Sequence, residues 1–592
     1  MTGPHARQVD DELVNLGLVL VLGGTLVLGL LRLAGTIAAW LPGATPPRRG
    51  LVGAITVIAH PLTPASAFDT PGLPAIVYWF VVIALTATSA AVMWAVWRVF
   101  SNLREASERD VRHASGVATR RDVIRTASER SLLKRAGNLR PDFAGPSAED
   151  VGYLLGHARG GGVWSSVEDS TLILGPPRSG KGVHLVINAI LDAPGPVVTT
   201  ATRPDNITTT LAARRERGPV AVFDPQHLAD GLPHGLRWSP VRGCQDPLTA
   251  MIRATGLASA IGLSAGGVDS GSFWEGKTRT VLQSLLHAAA LDARTPAELL
   301  SWTLSPASAA DAVAILANHS DAATGWAESL DSMIESDPRT RDSIWMGVSL
   351  ALSSLADPRV LDSVSPGENE EFDPTDFLRD SGALYLLATG AGSGACWPLV
   401  AAFVEDLVET ARHLAACSPG ARLEPPLLLA LDEIGNLAPL PSLPTLMAEG
   451  GGTGITTMPV LQSLSQARDK WREHAANAIW DAAIVKVILG GTAAARDLQD
   501  LSTLIGERDE HTDTITVGDY GSRGLQRSTR RVPILPPDTI RTLPFGMGLV
   551  LLRSAPPIVT DLRRWTDRPD GAQLSRQRKA IEGQLGHPSA RA

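Results

Sequence analysis

The chain has 592 residues, of which 44% are hydrophobic and 19% charged, and its formal net charge is −8. This composition excludes a mainly disordered chain and a protein whose whole surface binds nucleic acid, since the first needs fewer apolar residues and the second a basic balance. Three cysteines without paired spacing, Cys244, Cys396 and Cys417, exclude a disulfide framework and a zinc cluster. The length predicts several domains.

Two apolar segments near the N-terminus predict membrane-spanning helices. Residues 13–31 and 73–96 contain no charged side chain, and each approaches the roughly 20 residues that cross a bilayer. Tyr78, Trp79 and Trp94 lie near the ends of the second segment, as in an interfacial aromatic belt. We therefore predict a two-helix membrane anchor over residues 1–100; two buried helices of a soluble core are the alternative.

Arginines predict the orientation of this anchor. A dense arginine run follows the second segment between Arg98 and Arg140, whereas only the pair Arg48 and Arg49 lies between the segments. Because cytoplasmic flanks carry the excess of Lys and Arg, we expect both termini in the cytoplasm and residues 43–72 as a short external loop. Residues 101–150 then form a basic linker that docks on the core or binds anionic lipid. We thus predict a multi-pass protein of the inner (cytoplasmic) cell membrane.

A phosphate-binding loop is predicted between a strand and a helix. The apolar run at residues 171–174 predicts the strand and residues 183–191 the helix. A glycine-rich turn in this setting directs backbone N–H groups at an anion, and its lysine reaches the β- and γ-phosphates of a nucleotide. We assign the nucleotide contacts to Gly175, Pro176, Pro177, Arg178, Ser179, Gly180, Lys181 and Gly182. Gly182 replaces the usual hydroxyl ligand of magnesium, so the metal must be held by Asp432, water and phosphate.

A second segment, residues 271–278, fits the same signature more closely but lacks its setting. No strand precedes it, Phe273 and Trp274 are bulky, and Glu275 would repel an anion. We therefore predict that it does not bind nucleotide, and that Phe273 and Trp274 anchor a helix in its core.

An acidic pair and a polar strand end complete the predicted catalytic set. The apolar run at residues 426–431 predicts a buried strand that ends in Asp432 and Glu433. Asp432 is suited to magnesium and Glu433 to polarising the attacking water. A second strand at residues 454–461 ends at Gln462, which either senses the γ-phosphate or is an ordinary N-terminal residue of the next helix.

These segments, in this order, resemble the coupling proteins of type IV secretion and conjugation, the TraG/TraD type of the FtsK/HerA group of ATPases. The resemblance rests on the membrane hairpin, GPPRSGKG, FDP, RWSP, LLLALDEIGNLAPLPSL, QSLSQARDKW and RRVPILPPDTIRTLPFGMGLVLLRSAPPI. It implies an α/β RecA-like P-loop ATPase domain interrupted by an all-α domain. We place the ATPase domain at residues 151–245 and 366–568, the all-α domain at 246–365 and a disordered tail at 569–592.

The resemblance also implies the function. It predicts ATP and Mg²⁺ as cofactors, hydrolysis that drives single-stranded DNA with its relaxase into a type IV secretion channel, and a homo-hexamer. A protein-export ATPase of the same ring family and a non-hydrolysing membrane docking receptor are the alternatives. Arg496, Arg508 and Arg530 are all possible arginine fingers, and the sequence does not choose among them.

Overall fold

The computed structural model describes residues 23–141, 143–229, 231, 236–263, 271–367, 370–389, 396–437, 439–517 and 523–585, with side chains except at 96, 99–109, 513–517 and 523–526. The chain forms two compact units, Met1–Asp110 and Val111–Ala592.

The first unit contains four described helices: α1 (Gly23–Trp40), α2 (Leu51–Ala59), α3 (Pro64–Ala67) and α4 (Ala75–Arg109). Helix α1 and the segment Ala75–Ala95 of α4 are long and apolar enough to cross a membrane. Of the predicted first span, residues 13–22 lie outside the described residues, and the apolar helix continues past residue 31 to Trp40. The predicted second span corresponds to the start of α4.

Side chains from these four helices pack together with Phe68, which follows α3. Tyr78 of α4 and Phe68 are buried, and the Tyr78 hydroxyl donates to the Leu31 carbonyl of α1 at 3.3 Å. The predicted external loop at residues 43–72 contains α2 and α3, whose apolar side chains contribute to this core. Its external position stays a prediction. Ile76 and Phe80 point outward, 85% and 73% exposed, as expected of side chains that face lipid.

The second unit is built on one large sheet. Its strands are β1 (Gly152–Ala158), β2 (Gly161–Ser166), β3 (Thr171–Leu174), β4 (Val197–Ala201), β5 (Val220–Phe223), β6 (Ala383–Leu387), β7 (Leu427–Leu431), β8 (Ile455–Leu461), β9 (Val485–Leu489), β12 (Met547–Leu552) and β13 (Ile558–Leu562). The order across the sheet is β2-β1-β13-β12-β9-β3-β8-β7-β4-β6-β5. Strands from β9 to β5 in this order are parallel, and β12, β13, β1 and β2 extend the sheet with antiparallel pairs.

Helices cover this sheet and fill a long insertion between β5 and β6. Before and around the sheet lie α5 (Arg120–Thr126), α6 (Glu129–Leu133), α7 (Ala136–Leu139), α8 (Ala148–Val151), α9 (Ile187–Asp192) and α10 (Asp205–Arg215). The insertion contains α11 (Pro247–Ala260), α12 (Gly271–Leu291), α13 (Pro296–Leu304), α14 (Ala310–Asn318), α15 (Trp326–Ile334), α16 (Pro338–Leu352) and α17 (Pro358–Ser363). Then follow α18 (Pro374–Arg379), α19 (Trp397–Ala416), α20 (Ile434–Leu437), α21 (Leu443–Glu449), α22 (Leu464–Ala482), α23 (Ala495–Ile505), α24 (Pro537–Arg541) and α25 (Gly571–Glu582). The predicted domain boundaries stay a prediction.

A buried polar contact connects this insertion to the helix α19 beside the sheet. Asp406 of α19 accepts from the Trp238 indole at 2.9 Å and pairs with Arg253 of α11 at 2.6 Å. Trp238 also stacks on Phe403 with ring centroids 4.6 Å apart. Because Arg253 and Asp406 are both buried, removing Asp406 would leave the Arg253 charge without its carboxylate in the interior, a strongly destabilising change.

Residues 111–150 of the predicted basic linker belong to the second unit and fold onto it. Arg135 pairs with Glu168 at 3.1 Å, and Arg140 pairs with Glu424. These contacts favour docking on the core for this part of residues 101–150.

Two further segments differ from a simple sheet-and-helix pattern. Strands β10 (Glu507–Val517) and β11 (Arg523–Pro533) form a separate two-stranded ribbon.

The disordered tail predicted for residues 569–592 is contradicted over α25, where Leu574 and Ile581 are buried. These two side chains are seven residues apart, so they lie on one helical face, although the segment is otherwise polar. Residues 586–592 lie outside the described residues.

Candidate nucleotide-binding site

The phosphate loop lies where the sequence predicts it, between strand β3 and a helix. Residue Gly175 follows β3, and its N–H donates to the carbonyl of Leu461 at the end of β8 at 3.0 Å. After Lys181 the chain forms a π-helical turn, Gly182–Val186, which continues as α9. Such turns are rare inside helices and occur often at functional sites. The loop is therefore held against its neighbouring strand and ends in a helix N-terminus, where anions bind.

Gly180 has a backbone conformation that this loop requires. Its φ is +91°, and a Cβ atom there would lie 2.7 Å from His184 and 2.9 Å from the Phe545 ring. A side chain at this position would be both strained and in collision with its neighbours. At Gly182, in contrast, a Cβ atom would meet nothing within 4 Å. The missing hydroxyl at Gly182 is thus not a consequence of crowding.

Lys181 and the acidic pair form one electrostatic group. Burial lowers the pKa of Lys181, and the charges of Asp432 and Glu433 oppose that shift. Burial and the charge of Glu433 raise the pKa of Asp432 to about 6, while Lys181 acts in the opposite direction. Two carboxylates are therefore held close to one buried ammonium group.

The end of β4 positions both carboxylates. The Thr202 hydroxyl donates to the Glu433 carboxylate, and the Asn206 amide donates to Asp432 Oδ2 at 3.4 Å. The Thr200 hydroxyl donates to the Asp432 main-chain carbonyl at 2.8 Å. Glu433 itself has a φ of +52°, a conformation that is uncommon for a residue with a side chain and is often found at functional sites. Sequence reasoning missed these partners, because only the pairing of β4 with β7 brings them to the acidic pair.

Gln462 lies between the loop and the acidic pair along the sheet edge. Strand β8, which it follows, pairs with β3 on one side and with β7 on the other. The Gln462 N–H donates to Gln466 Oε1 at 2.9 Å, and Gln466 Nε2 donates to Asn436 Oδ1 at 2.7 Å. Gln466 thus connects the end of β8 to the turn that follows the acidic pair. The sequence contained a signal for Gln466, since Ser463 caps the helix three residues earlier.

The second signature match has no comparable setting. Residues 271–278 form the first two turns of α12. Lys277 lies over the Phe273 ring at 5.7 Å, Glu275 accepts from Ser259 at 3.1 Å, and Thr278 is fully buried. The expected anchoring is correct for Trp274, which packs on the core, and wrong for Phe273, which is 53% exposed. The ring of Phe273 projects because it lies on the face of α12 that Lys277 also occupies.

The residues present fit a magnesium nucleotide. The Ser179 hydroxyl is buried without a hydrogen-bond partner among the described residues, so the loop contains a polar group that a bound phosphate would satisfy. Pro176 and Pro177 have no N–H group, so the donors must come from later loop residues and the helix N-terminus. No group of three His, Cys, Asp or Glu side chains in the described part of the chain is placed to hold a metal. Magnesium would therefore be held by Asp432 together with phosphate and water.

Comparisons with known proteins agree with this geometry. Residues 426–545, which include Asp432, Glu433 and Gln462, match the family model described as the TraM recognition site of TraD and TraG. The resemblance to the TraG/TraD-type coupling proteins is confirmed. Comparison with curated protein sequences finds no match.

Solved coupling proteins have a similar fold. An unbound monoclinic form of the bacterial conjugative coupling protein TrwBdeltaN70 aligns with a TM-score of 0.53 and 18% identity, over 74% of this chain and 92% of that one. The plasmid coupling protein TrwB in complex with the non-hydrolysable ATP analogue ADPNP aligns with a TM-score of 0.50 and 18% identity, over 67% of this chain and 86% of that one. The predicted fold class is confirmed: a RecA-like α/β ATPase fold with a helical insertion, preceded by two apolar helices of the kind that form a membrane hairpin.

Proposed function

We propose that this chain is a membrane-anchored ATPase of the coupling-protein type, which uses ATP hydrolysis to drive single-stranded DNA and its relaxase into a type IV secretion or conjugation channel. The observation that supports an ATPase is the convergence of Lys181, Asp432, Glu433 and Gln462 at one sheet edge. The coupling-protein fold and the TraG/TraD-type segment support the transport role.

Each residue of this edge has a role in the proposed reaction. The loop N–H groups and Lys181 bind the β- and γ-phosphates, and Asp432 holds magnesium. The metal supplies charge neutralisation at the transferred phosphoryl group. Glu433 orients the attacking water and accepts its proton, and Gln462 contacts the γ-phosphate end.

Thr202 sets the position of the proposed base. Its hydroxyl donates to the Glu433 carboxylate, and this hydrogen bond fixes the direction of the carboxylate. Thr202 follows β4 and Glu433 follows β7. A shift between these two strands would therefore change the orientation of the Glu433 carboxylate relative to the attacking water.

The anchor and the assembly are further parts of the proposal. We propose that the chain is a multi-pass protein of the inner membrane with its ATPase unit in the cytoplasm; the length and apolar composition of helix α1 and of the start of α4 support an anchor. The chain acts as a homo-hexamer that contacts single-stranded DNA, the relaxase and channel proteins. We assign docking of a protein of the DNA-processing complex to the segment 426–545, whose family model is described by TraM recognition.

ATP turnover by the full chain in lipid nanodiscs tests the proposal. We expect turnover that rises when single-stranded DNA is added and disappears in Lys181→Ala, with the matched substitution Lys277→Ala as control. Turnover that depends on Lys181 but ignores DNA would favour the protein-export ATPase. Absence of turnover in the intact chain would leave the docking receptor and contradict the proposal.

A further inference from the structure

An exposed aromatic side chain lies directly against the phosphate loop, on the side away from the acidic pair. Phe545 is 59% exposed, yet its ring is so close to Gly180 that a Cβ atom there would lie 2.9 Å from it. His184, one helical turn after Gly180, meets the same ring edge-on with centroids 5.1 Å apart. The ring is thus fixed at one edge by the loop and its helix, while much of its surface remains open to solvent.

The sheet order gives this ring a defined place relative to the phosphates. The acidic pair follows β7, two strands from β3 on one side, and Phe545 precedes β12, two strands from β3 on the other. Strand β12 is antiparallel to β9, with Gly548 beside Leu489, so the start of β12 lies at the edge where β3 and β9 end. Phe545 therefore lies at the nucleotide edge of the sheet, opposite the carboxylates.

This arrangement determines the orientation of a bound nucleoside triphosphate along the sheet edge. Its γ-phosphate must lie toward Lys181 and the carboxylates, where the charge that stabilises hydrolysis is found. Its base must then extend away from them, along the rim on which Phe545 is exposed. Aromatic rings bind bases by stacking, because every base presents a flat π-surface.

A planar cation accompanies the ring. The Arg564 guanidinium lies 5.8 Å from the centroid of Phe545, and guanidinium groups stack on aromatic rings as well as binding anions. Arg564 follows β13, whose end lies beside the start of β12 through the pairing of Met547 with Asp561. Two chain segments thus converge at the same rim, one with an aromatic face and one with a planar charge.

We propose that Phe545 is the stacking platform for the base of the bound nucleotide, with Arg564 beside it, so that the site selects a nucleoside triphosphate over the bare triphosphate. This assignment rests on the proposed nucleotide binding by residues 175–182. It adds a base subsite to the phosphate subsite and identifies Phe545 as a determinant of ligand affinity, separate from the groups that carry the hydrolysis.

Affinities for ATP and for inorganic tripolyphosphate, measured by calorimetry on the full chain, test the assignment. We expect Phe545→Ala to weaken ATP binding about 5- to 150-fold, the range that corresponds to base–aromatic stacking, and to leave tripolyphosphate binding unchanged. Phe545→Trp should retain ATP affinity. Phe545→Leu, which keeps apolar packing against Gly180 and His184, should show most of the loss seen with alanine.

A matched control is available in the helical insertion. Phe273 is 53% exposed and also lies near a cation, Lys277, so Phe273→Ala removes a similar ring far from β3 in sequence and should change neither affinity. Equal ATP affinity in wild type and Phe545→Ala would overturn the inference. So would an equal loss for ATP and tripolyphosphate in both Phe545→Ala and Phe545→Leu, which would indicate a distorted loop. Wild-type protein that binds neither ligand would instead overturn the proposed function, and this inference with it.

Discussion

The chain contains two segments with the phosphate-loop signature, residues 175–182 and residues 271–278, and their surroundings are opposite. The first follows a parallel strand at the edge of the sheet and lies near Asp432 and Glu433. The second lies within a helix of the insertion, with its lysine over Phe273 and its threonine buried. The segment that fits the signature less closely is the one with the geometry of an anion site.

A phosphate site therefore depends on the backbone conformation of the segment and not only on its match to the sequence signature. A phosphate site needs a turn that presents several N–H groups together with a helix N-terminus. In the regular turns of a helix, each N–H group beyond the first turn already donates to a carbonyl four residues earlier. Substitutions made in parallel in the two segments therefore test which of them binds the nucleotide.

The largest difference is expected for the two lysines. Lys181→Ala should weaken ATP binding by about 2–5 kcal/mol, the cost of truncating one partner of a buried charge pair, and bring turnover below detection. Lys277→Ala should leave ATP affinity unchanged, because its ammonium group contacts Phe273. Binding of a labelled ATP analogue to both variants measures this. A loss confined to Lys277→Ala would reverse the assignment of the site.

The next largest difference concerns a glutamate in each region. Glu433→Gln should bind ATP normally and hydrolyse it about 10²- to 10⁴-fold more slowly, because a positioned acid–base group is removed while its shape remains. Glu275 accepts a hydrogen bond from Ser259, and the Glu275→Gln variant should hydrolyse ATP at the wild-type rate. Affinity and single-turnover rates separate binding from chemistry. Equal rates for Glu433→Gln and wild type would remove Glu433 from the mechanism.

Asp432 should make stability and magnesium binding depend on pH in opposite ways. Its folded-state pKa of about 6 lies above the ordinary value of 3.8, so ionisation costs folding free energy above pH 6, and that cost is lost as pH falls toward 4. Without nucleotide, Asp432→Asn should stabilise the protein by up to about 3 kcal/mol at pH 8 and by about 1 kcal/mol at pH 4.5. Magnesium-dependent ATP binding by wild type should weaken below about pH 6, as Asp432 becomes protonated. Melting temperatures and affinities at these pH values measure both; a gain in stability that is the same at both pH values would contradict the account.

Substitution of two glycines should change stability with opposite signs. Gly180→Ala should destabilise the protein by about 1–3 kcal/mol, because its φ of +91° is unfavourable for a side chain and its Cβ would collide with His184 and Phe545. Gly276→Ala should stabilise it by about 0.5–1 kcal/mol, since Gly276 lies inside α12 with nothing within 4 Å of its Cβ position. Thermal unfolding of both variants gives the signs, and stabilisation by Gly180→Ala would show that the loop has another conformation.

The local parts of this site could be predicted from the sequence. Three short apolar runs predict strands that end before Gly175, Asp432 and Gln462. The structure brings these three strand ends to one edge of the sheet. Parallel strands align their carboxyl ends, so the convergence follows from the fold class.

The side-chain contacts that depend on pairing between distant strands could not be predicted from the sequence. Thr202 reaches Glu433 only because β4 pairs with β7, and Phe545 reaches Gly180 only because β12 joins the sheet beyond β9. The ribbon of β10 and β11 was missed for a different reason. Its strands carry charges at successive positions, such as Arg508, Asp509 and Glu510, so they lack the apolar alternation that predicts a half-buried strand.

Hydrogen exchange of the intact chain, with and without a non-hydrolysable ATP analogue and magnesium, tests without any substitution which of the two segments binds the nucleotide. The account predicts that the analogue slows exchange at the amides of residues 178–186, where the loop and its helix N-terminus meet the phosphates, and leaves residues 271–278 unchanged. Slowed exchange in residues 271–278 without any change in residues 178–186 would contradict it.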